Sequence, residues 1–140
     1  TRAYFGLKDA QQVALIEGYV RDYFVPVEIR RCAIIREPSG LAKSSRNVYL
    51  SDVEKTDASE INRALTDAYD ALEDGEPLRD VMARLEERLQ NIPNSMIDYV
   101  EVKDYPTLTE ATSASTELLI AVAVQFERAR LIDNVIWKRG

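Results

Sequence analysis

The sequence predicts an α/β region at the start of the chain and an α+β region after it. Two strand-like segments with a helix-like segment between them lie within residues 1–35, and two helix-like segments followed by three strand-like ones lie within residues 51–136. A strand, a helix and a strand joined by a short return form a parallel, right-handed βαβ unit. Helices that precede a run of strands pack on a sheet, which is expected here to be antiparallel.

The βαβ unit is predicted from the first 35 residues. An apolar segment at residues 3–5 ends at Gly6, which favours a turn. Asp9 is expected to cap a helix of about four turns, because apolar residues recur at helical spacing as far as residue 24. Residues 27–35 are mostly β-branched and apolar, and they predict the second strand.

The two later helices are predicted from their ends and their apolar faces. Ser51 and Glu54 fit a capping box, in which the hydroxyl and the carboxylate bond each other's backbone N–H groups. An apolar stripe then runs to residue 72, and Gly75 with Pro77 ends that helix. A shorter helix with one apolar face follows and ends before Pro93.

Three strands are predicted at residues 96–102, 117–124 and 129–136. The middle segment is apolar on both faces and is expected at the centre of the sheet. The outer two contain charged residues, including Asp98 and Asp133, and are expected to be edges or half-exposed.

Composition excludes several classes of function. The 140 residues are 46% apolar and 30% charged, which is typical of one or two small globular domains. A net charge of −6 argues against nucleic acid or an anionic membrane as a partner. The chain has no histidine, which excludes a Ser-His-Asp triad and histidine metal ligands within it. Cys32 is the only cysteine, which fits a reducing cytoplasm.

The loop after the second predicted strand carries the densest set of hydrogen-bond donors. A turn at residues 38–40 leads into Lys43, Ser44, Ser45 and Arg46. Together these residues could give a phosphate a point charge, a planar fork of N–H groups and two hydroxyls. A solvated polar loop before a capped helix is the alternative interpretation.

A second candidate loop follows the first predicted strand. Gly6 could let the backbone approach a phosphate, Lys8 could neutralise it, and the helix that starts at Asp9 could add its dipole. Gln11 or Gln12 could face the cleft and donate an amide; the alternative is a simple turn with a cap and solvated side chains. Both loops start at carboxyl ends of parallel strands, so we expect them side by side.

Four motifs extend this interpretation. Tyr4-Phe-Gly-Leu-Lys-Asp-Ala-Gln-Gln12 and Ile35-Arg-Glu-Pro-Ser-Gly-Leu-Ala-Lys-Ser-Ser-Arg-Asn-Val-Tyr-Leu-Ser51 occur together, and Ile97-Asp-Tyr-Val-Glu101 and Arg130-Leu-Ile-Asp-Asn134 follow them. These motifs and their spacing closely resemble the pantoate–β-alanine ligase family. The resemblance covers essentially the whole chain.

The resemblance implies an enzyme that condenses pantoate and β-alanine at the expense of ATP. The family forms a pantoyl-adenylate intermediate and releases pyrophosphate and then AMP. The implied fold is Rossmann-like and similar to the core of class I aminoacyl-tRNA synthetases. Mg²⁺ is expected to accompany ATP, and the parent protein is expected to be a cytoplasmic homodimer that pairs through its amino-terminal domain.

The resemblance also implies roles for individual residues. Residues 43–46 would take the place of the KMSKS-type loop, although the family often has an apolar residue where this chain has Lys43. Ile35 would meet adenine through its backbone, and Gln12 would hold pantoate. The residues expected to bind ATP are Gly6, Leu7, Lys8, Asp9, Ile35, Lys43, Ser44, Ser45 and Arg46. The residues expected to act in catalysis are Lys8, Ser44, Ser45 and Arg46.

The family's His-x-Gly-His motif is expected upstream of Thr1, because this chain contains no histidine. The chain is therefore interpreted as the carboxy-terminal portion of the enzyme. Residues 1–40 would be the last piece of the ATP- and pantoate-binding domain, and residues 41–140 a lid domain with the KMSKS-like loop. The chain alone is expected to be inactive. A stand-alone, non-catalytic nucleotide-binding or interaction module is the alternative.

Overall fold

The computed structural model describes residues 1–112 and 115–139. Its strands and helices, numbered in chain order, are β1 (Arg2–Gly6), α1 (Ala10–Asp22), β2 (Glu28–Cys32), α2 (Asp52–Glu73), α3 (Leu78–Gln90), β3 (Met96–Asp104), β4 (Glu117–Gln125) and β5 (Arg130–Lys138). Short 3₁₀ turns at Leu7–Asp9 and Ser45–Tyr49 complete it. None of the helices in the described ranges is long and apolar enough to cross a membrane.

The predicted βαβ unit is present. β1 and β2 pair in parallel, with Arg2 opposite Glu28 and Gly6 opposite Cys32. The second strand ends at Cys32, three residues earlier than predicted. The cause is that β1 breaks into a 3₁₀ turn directly after Gly6, so residues beyond Cys32 have no strand to pair with.

The capping box of α2 is confirmed. Ser51 Oγ accepts the Glu54 N–H at 3.1 Å, and Glu54 Oε1 accepts the Ser51 N–H at 3.0 Å. The helix ends just before Gly75, whose φ of +84° favours glycine. α3 begins at Leu78, directly after Pro77.

The antiparallel sheet has the order β3-β4-β5, so the prediction of a central β4 is confirmed. Successive residues of β4 point to opposite faces of the sheet, because side chains alternate along a strand. Leu118, Ile120 and Val122 pack with α2 and α3 in the main core. Leu119 and Ala121 pack on the other face with α1 residues Ala10 and Ala14. The fold therefore has three layers, with the sheet between α1 and the pair α2–α3.

One local prediction is wrong. The Asp9 side chain makes no cap hydrogen bond to α1, because the 3₁₀ turn at Leu7–Asp9 leads directly into the helix. The outer strands β3 and β5 are edges of the sheet, as predicted, although the Asp133 side chain on β5 is buried and bonded by Arg36 from the loop after β2.

Candidate functional site

The first candidate loop, residues 6–9, borders a depression at the start of α1, called here the Lys8 depression. Its open volume is about 270 Å³. Its polar lining comes from the loop, the first turn of α1 and the facing sheet: Lys8, Asp9, Gln11, Gln12, Tyr99, Asp133 and Asn134. The structure therefore places Lys8, Asp9 and Gln12 together, as the sequence predicts.

The second candidate loop, residues 35–47, borders a separate and shallower depression, called here the Lys43 depression. It has an open volume of about 510 Å³ and is lined by Lys43, Ser44, Ser45, Asn47 and other residues. Ser44 Oγ accepts the Arg46 N–H at 3.2 Å, which starts the 3₁₀ turn and leaves the Ser44 O–H free to donate.

Four predicted residues line neither of these two depressions. They are Gly6, Leu7, Ile35 and Arg46. Gly6 is exposed at the end of β1, and Ile35 and Arg46 are also exposed. The Ile35 carbonyl accepts the Lys43 N–H at 2.9 Å, so a backbone hydrogen bond ties Lys43 to the start of the second loop.

Three cations of these loops are available to an anion. Lys8, Lys43 and Arg46 make no ion pair with the residues that the structure describes. By contrast, Arg31 and Arg36 are held by carboxylates. Unpaired cations keep their full charge for a ligand, which matters in a chain with a net charge of −6.

Neither depression alone fits a whole nucleotide well. Ligand pockets usually enclose about 300–1,000 Å³. The Lys8 depression falls just below this range, and the Lys43 depression falls within it but is shallow and open to solvent. A triphosphate that extended from one to the other would use the donors of both loops.

Two residues that the sequence analysis did not select connect the loops to β5. Asn134 Nδ2 donates to the carbonyl oxygens of Leu7 at 2.8 Å and Lys8 at 3.1 Å. Arg36 donates to both carboxylate oxygens of Asp133, at 2.7 and 2.9 Å. The Arg130-Leu-Ile-Asp-Asn134 motif was the only sequence signal for this part of β5, and it did not predict that β5 contacts the two loops.

Asn47 supports the second loop from below. Its Nδ2 donates to Glu37 Oε2 at 2.6 Å and to the Ala42 carbonyl at 3.1 Å. The Asn47 Oδ1 atom is buried and has no hydrogen-bond partner within residues 1–112 and 115–139. This side chain packs under the loop, so its contribution is to loop shape.

Tyr99 is a neutral group of the Lys8 depression. Burial raises the pKa of its phenol, and the nearby Arg130 charge only partly opposes that rise. The hydroxyl therefore stays protonated at neutral pH and is not a general base. It can serve a ligand as a hydrogen-bond donor.

Comparisons with known proteins agree on one family. The sequence model of the pantoate-beta-alanine ligase family matches residues 1–136. The pantothenate synthetase of Exiguobacterium sp. strain AT1b is 74% identical over 140 residues, which are 100% of this chain and 51% of that protein. The pantothenate synthetase of Bacillus cytotoxicus is 47% identical over 136 residues, 96% of this chain and 48% of that protein.

Solved structures agree as well. The structure of pantothenate synthetase from Thermus thermophilus matches with a TM-score of 0.87 and 37% identity, over 96% of this chain and 49% of that one. Pantoate-beta-alanine ligase from Francisella tularensis, solved with β,γ-ATP and β-alanine, matches with a TM-score of 0.61 and 26% identity, over 99% of this chain and 44% of that one.

These matches correct two predictions. The chain spans about half the length of the relatives it matches. The family model matches from the first residue and the chain opens with a Rossmann-like βαβ unit, which contradicts the interpretation as a carboxy-terminal portion or domain. The same matches contradict the prediction that the chain lacks the family's amino-terminal catalytic motif.

Proposed function

The chain belongs to the pantoate–β-alanine ligase family, and on that premise we propose that the protein carrying it condenses pantoate with β-alanine at the expense of ATP. The reaction passes through pantoyl adenylate and gives pantothenate, AMP and pyrophosphate. The observation that carries the proposal is the family match over residues 1–136. Its proposed partners are small molecules: pantoate, β-alanine and ATP.

ATP is proposed to lie across the Lys8 and Lys43 depressions. The Francisella tularensis relative was solved with β,γ-ATP and β-alanine, which supports a nucleotide site in this fold. In this chain the phosphates would meet Lys8, Lys43, Ser44, Ser45 and Arg46. The residues proposed to line the nucleotide through their backbone or close packing are Gly6, Leu7, Asp9 and Ile35.

Pantoate is proposed to bind beside Gln12. This side chain lies in the first turn of α1 and lines the Lys8 depression together with Lys8. Its amide can donate to the pantoate carboxylate or hydroxyl groups. The carboxylate would then face the α-phosphate that Lys8 helps to hold.

The first chemical step needs positioning more than covalent help. A pantoate carboxylate oxygen attacks the α-phosphorus, and the bond to the bridging oxygen breaks to release pyrophosphate. Holding the two reactants in line contributes about 7–11 kcal/mol. Lys8 and Arg46 offset the charge that grows on pyrophosphate, and the hydroxyls of Ser44 and Ser45 donate to its oxygens.

The second step transfers the pantoyl group. The β-alanine amine attacks the acyl carbon of the adenylate and loses a proton. The bond from that carbon to the bridging oxygen breaks, and AMP leaves with this oxygen, which came from the pantoate carboxylate. Closing the second loop over the adenylate would keep water from hydrolysing it. We also propose that the chain divides at residue 40 and that residues 41–140 act as a lid.

Mg²⁺ is proposed to enter with ATP. Across residues 1–112 and 115–139 no group of three or more Asp, Glu, Cys or His side chains could hold a metal ion. A nucleotide site without such a group of side chains fits an ion bound mainly by phosphate oxygens and water, as Mg²⁺ usually is. Such an ion would neutralise part of the triphosphate charge.

Arg46→Ala tests the proposal in the protein that carries this chain. We expect single-turnover formation of pantoyl adenylate to slow by about 100-fold, because a charge-stabilising donor is removed. Pantoate affinity should change much less. Arg79→Ala is the matched control, since Arg79 on α3 is exposed, forms no ion pair within residues 1–112 and 115–139, and lines neither depression.

Two outcomes would contradict the proposal. Unchanged adenylate formation in Arg46→Ala would remove Arg46 from the site. ATP binding by the wild type without any pantoate-dependent release of pyrophosphate would favour the alternative, a non-catalytic nucleotide-binding module.

A further inference from the structure

Adjacent residues on β5 hold the two candidate loops from opposite sides of the sheet. β5 is an edge strand, and the side chains of Asp133 and Asn134 point to opposite faces because residues alternate along a strand. Both side chains are buried, each with a relative exposure of 5%. Buried polar groups of this kind need partners, and each one finds its partners in a different loop.

Asn134 holds the first loop. Its amide donates to two successive carbonyls, those of Leu7 and Lys8, so it holds the two peptide units on either side of the Lys8 Cα. The Lys8 side chain starts from that Cα. The position of the Lys8 ammonium group therefore depends on a side chain that lies 126 residues further along the chain.

Asp133 holds the second loop. Its carboxylate receives the fork of Arg36, and Arg36 also donates to the Gly40 carbonyl at 3.0 Å. Bidentate pairing of this kind fixes orientation as well as distance. Asp133 Oδ1 also accepts the Asn134 N–H at 2.8 Å, which joins the two supports into one unit.

The parallel strands do not join the loops themselves. Pairing of β1 with β2 stops at Gly6 and Cys32. In the described part of the chain, no hydrogen bond runs directly from residues 7–9 to residues 35–47. The connection between the loops runs through β5 instead.

We propose that Asp133 and Asn134 are positioning residues that set the separation of the two phosphate-binding loops. This inference rests on the proposed function for its catalytic consequence. Both side chains line the Lys8 depression, but the role proposed here acts through their hydrogen bonds to the loops and not through a contact with ATP. Asp133 and Asn134 together hold Lys8 and residues 43–46 at the spacing that one triphosphate requires. Loss of either side chain therefore misaligns the groups that stabilise the same transition state.

The test uses Asn134→Ala, Asp133→Asn and the double variant in the protein that carries this chain. We expect each single variant to slow single-turnover adenylate formation by about 10- to 100-fold, since a displacement of about 1 Å costs that much. The KM for ATP should change by less than about 3-fold, because the loss falls on the transition state. The double variant should be no more than about 3-fold slower than the slower single one. The reason is that either single substitution already disrupts the arrangement that both residues maintain together.

Glu73→Ala is the matched control. Glu73 accepts the indole N–H of Trp137, at 2.6 Å, so it supports the same strand through a contact with α2 and not with either loop. This variant should lose stability without losing adenylate formation per folded molecule. All rates are measured at a temperature where melting curves show each variant to be folded.

The outcomes separate this inference from the proposed function. A wild type that forms no adenylate would overturn the proposed function; hydrogen exchange then still decides the positioning role, since Asn134→Ala must speed exchange at residues 7–9. Unchanged exchange there would overturn positioning. An active wild type with a fully active Asn134→Ala, or with a double variant whose losses multiply, would overturn the inference and leave the proposed function intact.

Discussion

At the scale of single residues, the conformation of Gly40 could be predicted from its sequence neighbours, but its packing could not. The turn at residues 38–40 was predicted from its composition, and Gly40 does adopt a φ of +94°, which side chains disfavour. Its surroundings were not predictable. A Cβ added at Gly40 would lie 2.6 Å from Asn62 Nδ2, on a helix more than 20 residues away in the sequence. Backbone conformation follows local rules, and the neighbour follows from the whole fold.

Gly40→Ala should therefore lower the free energy of unfolding, by about 1–2 kcal/mol, through backbone strain at a positive φ. Gly18→Ala is the matched opposite. Gly18 lies inside α1, and its added Cβ would meet only Arg21 Nη2 at an ordinary 3.6 Å. That variant should gain about 0.5–1 kcal/mol, because alanine is the better helix former. Urea denaturation of both measures this contrast, and equal effects would contradict it.

At the scale of elements, the sequence predicts best what short-range chemistry determines. The bounds of α2 follow from Ser51, Glu54 and Gly75, all of which act within a few residues of a helix end. β2 was predicted too long, because its end depends on where its partner strand stops. The Asp9 cap failed for a similar reason, since a 3₁₀ turn replaced the expected entry into α1.

Ser51→Ala should lower the free energy of unfolding by about 1 kcal/mol, because the Glu54 N–H at the start of α2 loses its acceptor, Ser51 Oγ. Thr56→Ala is the control. Its hydroxyl only bonds back to the Asp52 carbonyl, so alanine should be neutral or slightly favourable there. Thermal unfolding of both variants checks the difference. A Ser51→Ala protein as stable as the wild type would show that the box contributes nothing.

At the scale of the whole molecule, the βαβ unit attaches to the sheet through a few long-range contacts. Arg31 bonds Glu17 and Glu117 and lies 4.8 Å above the ring of Tyr105. The Tyr105 hydroxyl donates to the Ala10 carbonyl at 2.9 Å. The elements that pair were predictable, because β4 is apolar on both faces. The contacts of Tyr105, Asp133 and Asn134 were not, because no local pattern marks a partner about 100 residues away.

Stability should fall at high pH because of Tyr105. Burial raises the pKa of its phenol to about 12, from an ordinary value of 10.0. The unfolded chain releases this proton first, so the contribution is complete below pH 10 and is lost as pH rises to about 12. The loss at the upper end is at most about 3 kcal/mol.

Tyr105→Phe should flatten this alkaline loss. The variant should be about 1 kcal/mol less stable at neutral pH, because the bond to Ala10 is gone. Its free energy of unfolding, measured in urea between about pH 9.5 and 11.5, should then fall less steeply than that of the wild type. Tyr69→Phe, on the exposed side of α2, is the control and should keep the wild-type slope. If Tyr105→Phe kept the wild-type slope, Tyr105 would not be the cause of the alkaline loss of stability.

The reach of Asn134 back to Leu7 has a consequence for the order in which the protein is made. These residues are 127 positions apart, so the first loop emerges from the ribosome long before its support exists. At about 5–20 residues per second, that delay is roughly 6–25 seconds. The first candidate loop to be synthesised is therefore among the last parts to take its final shape, and a nascent chain that ends before β5 carries Lys8 without the geometry that would let it bind.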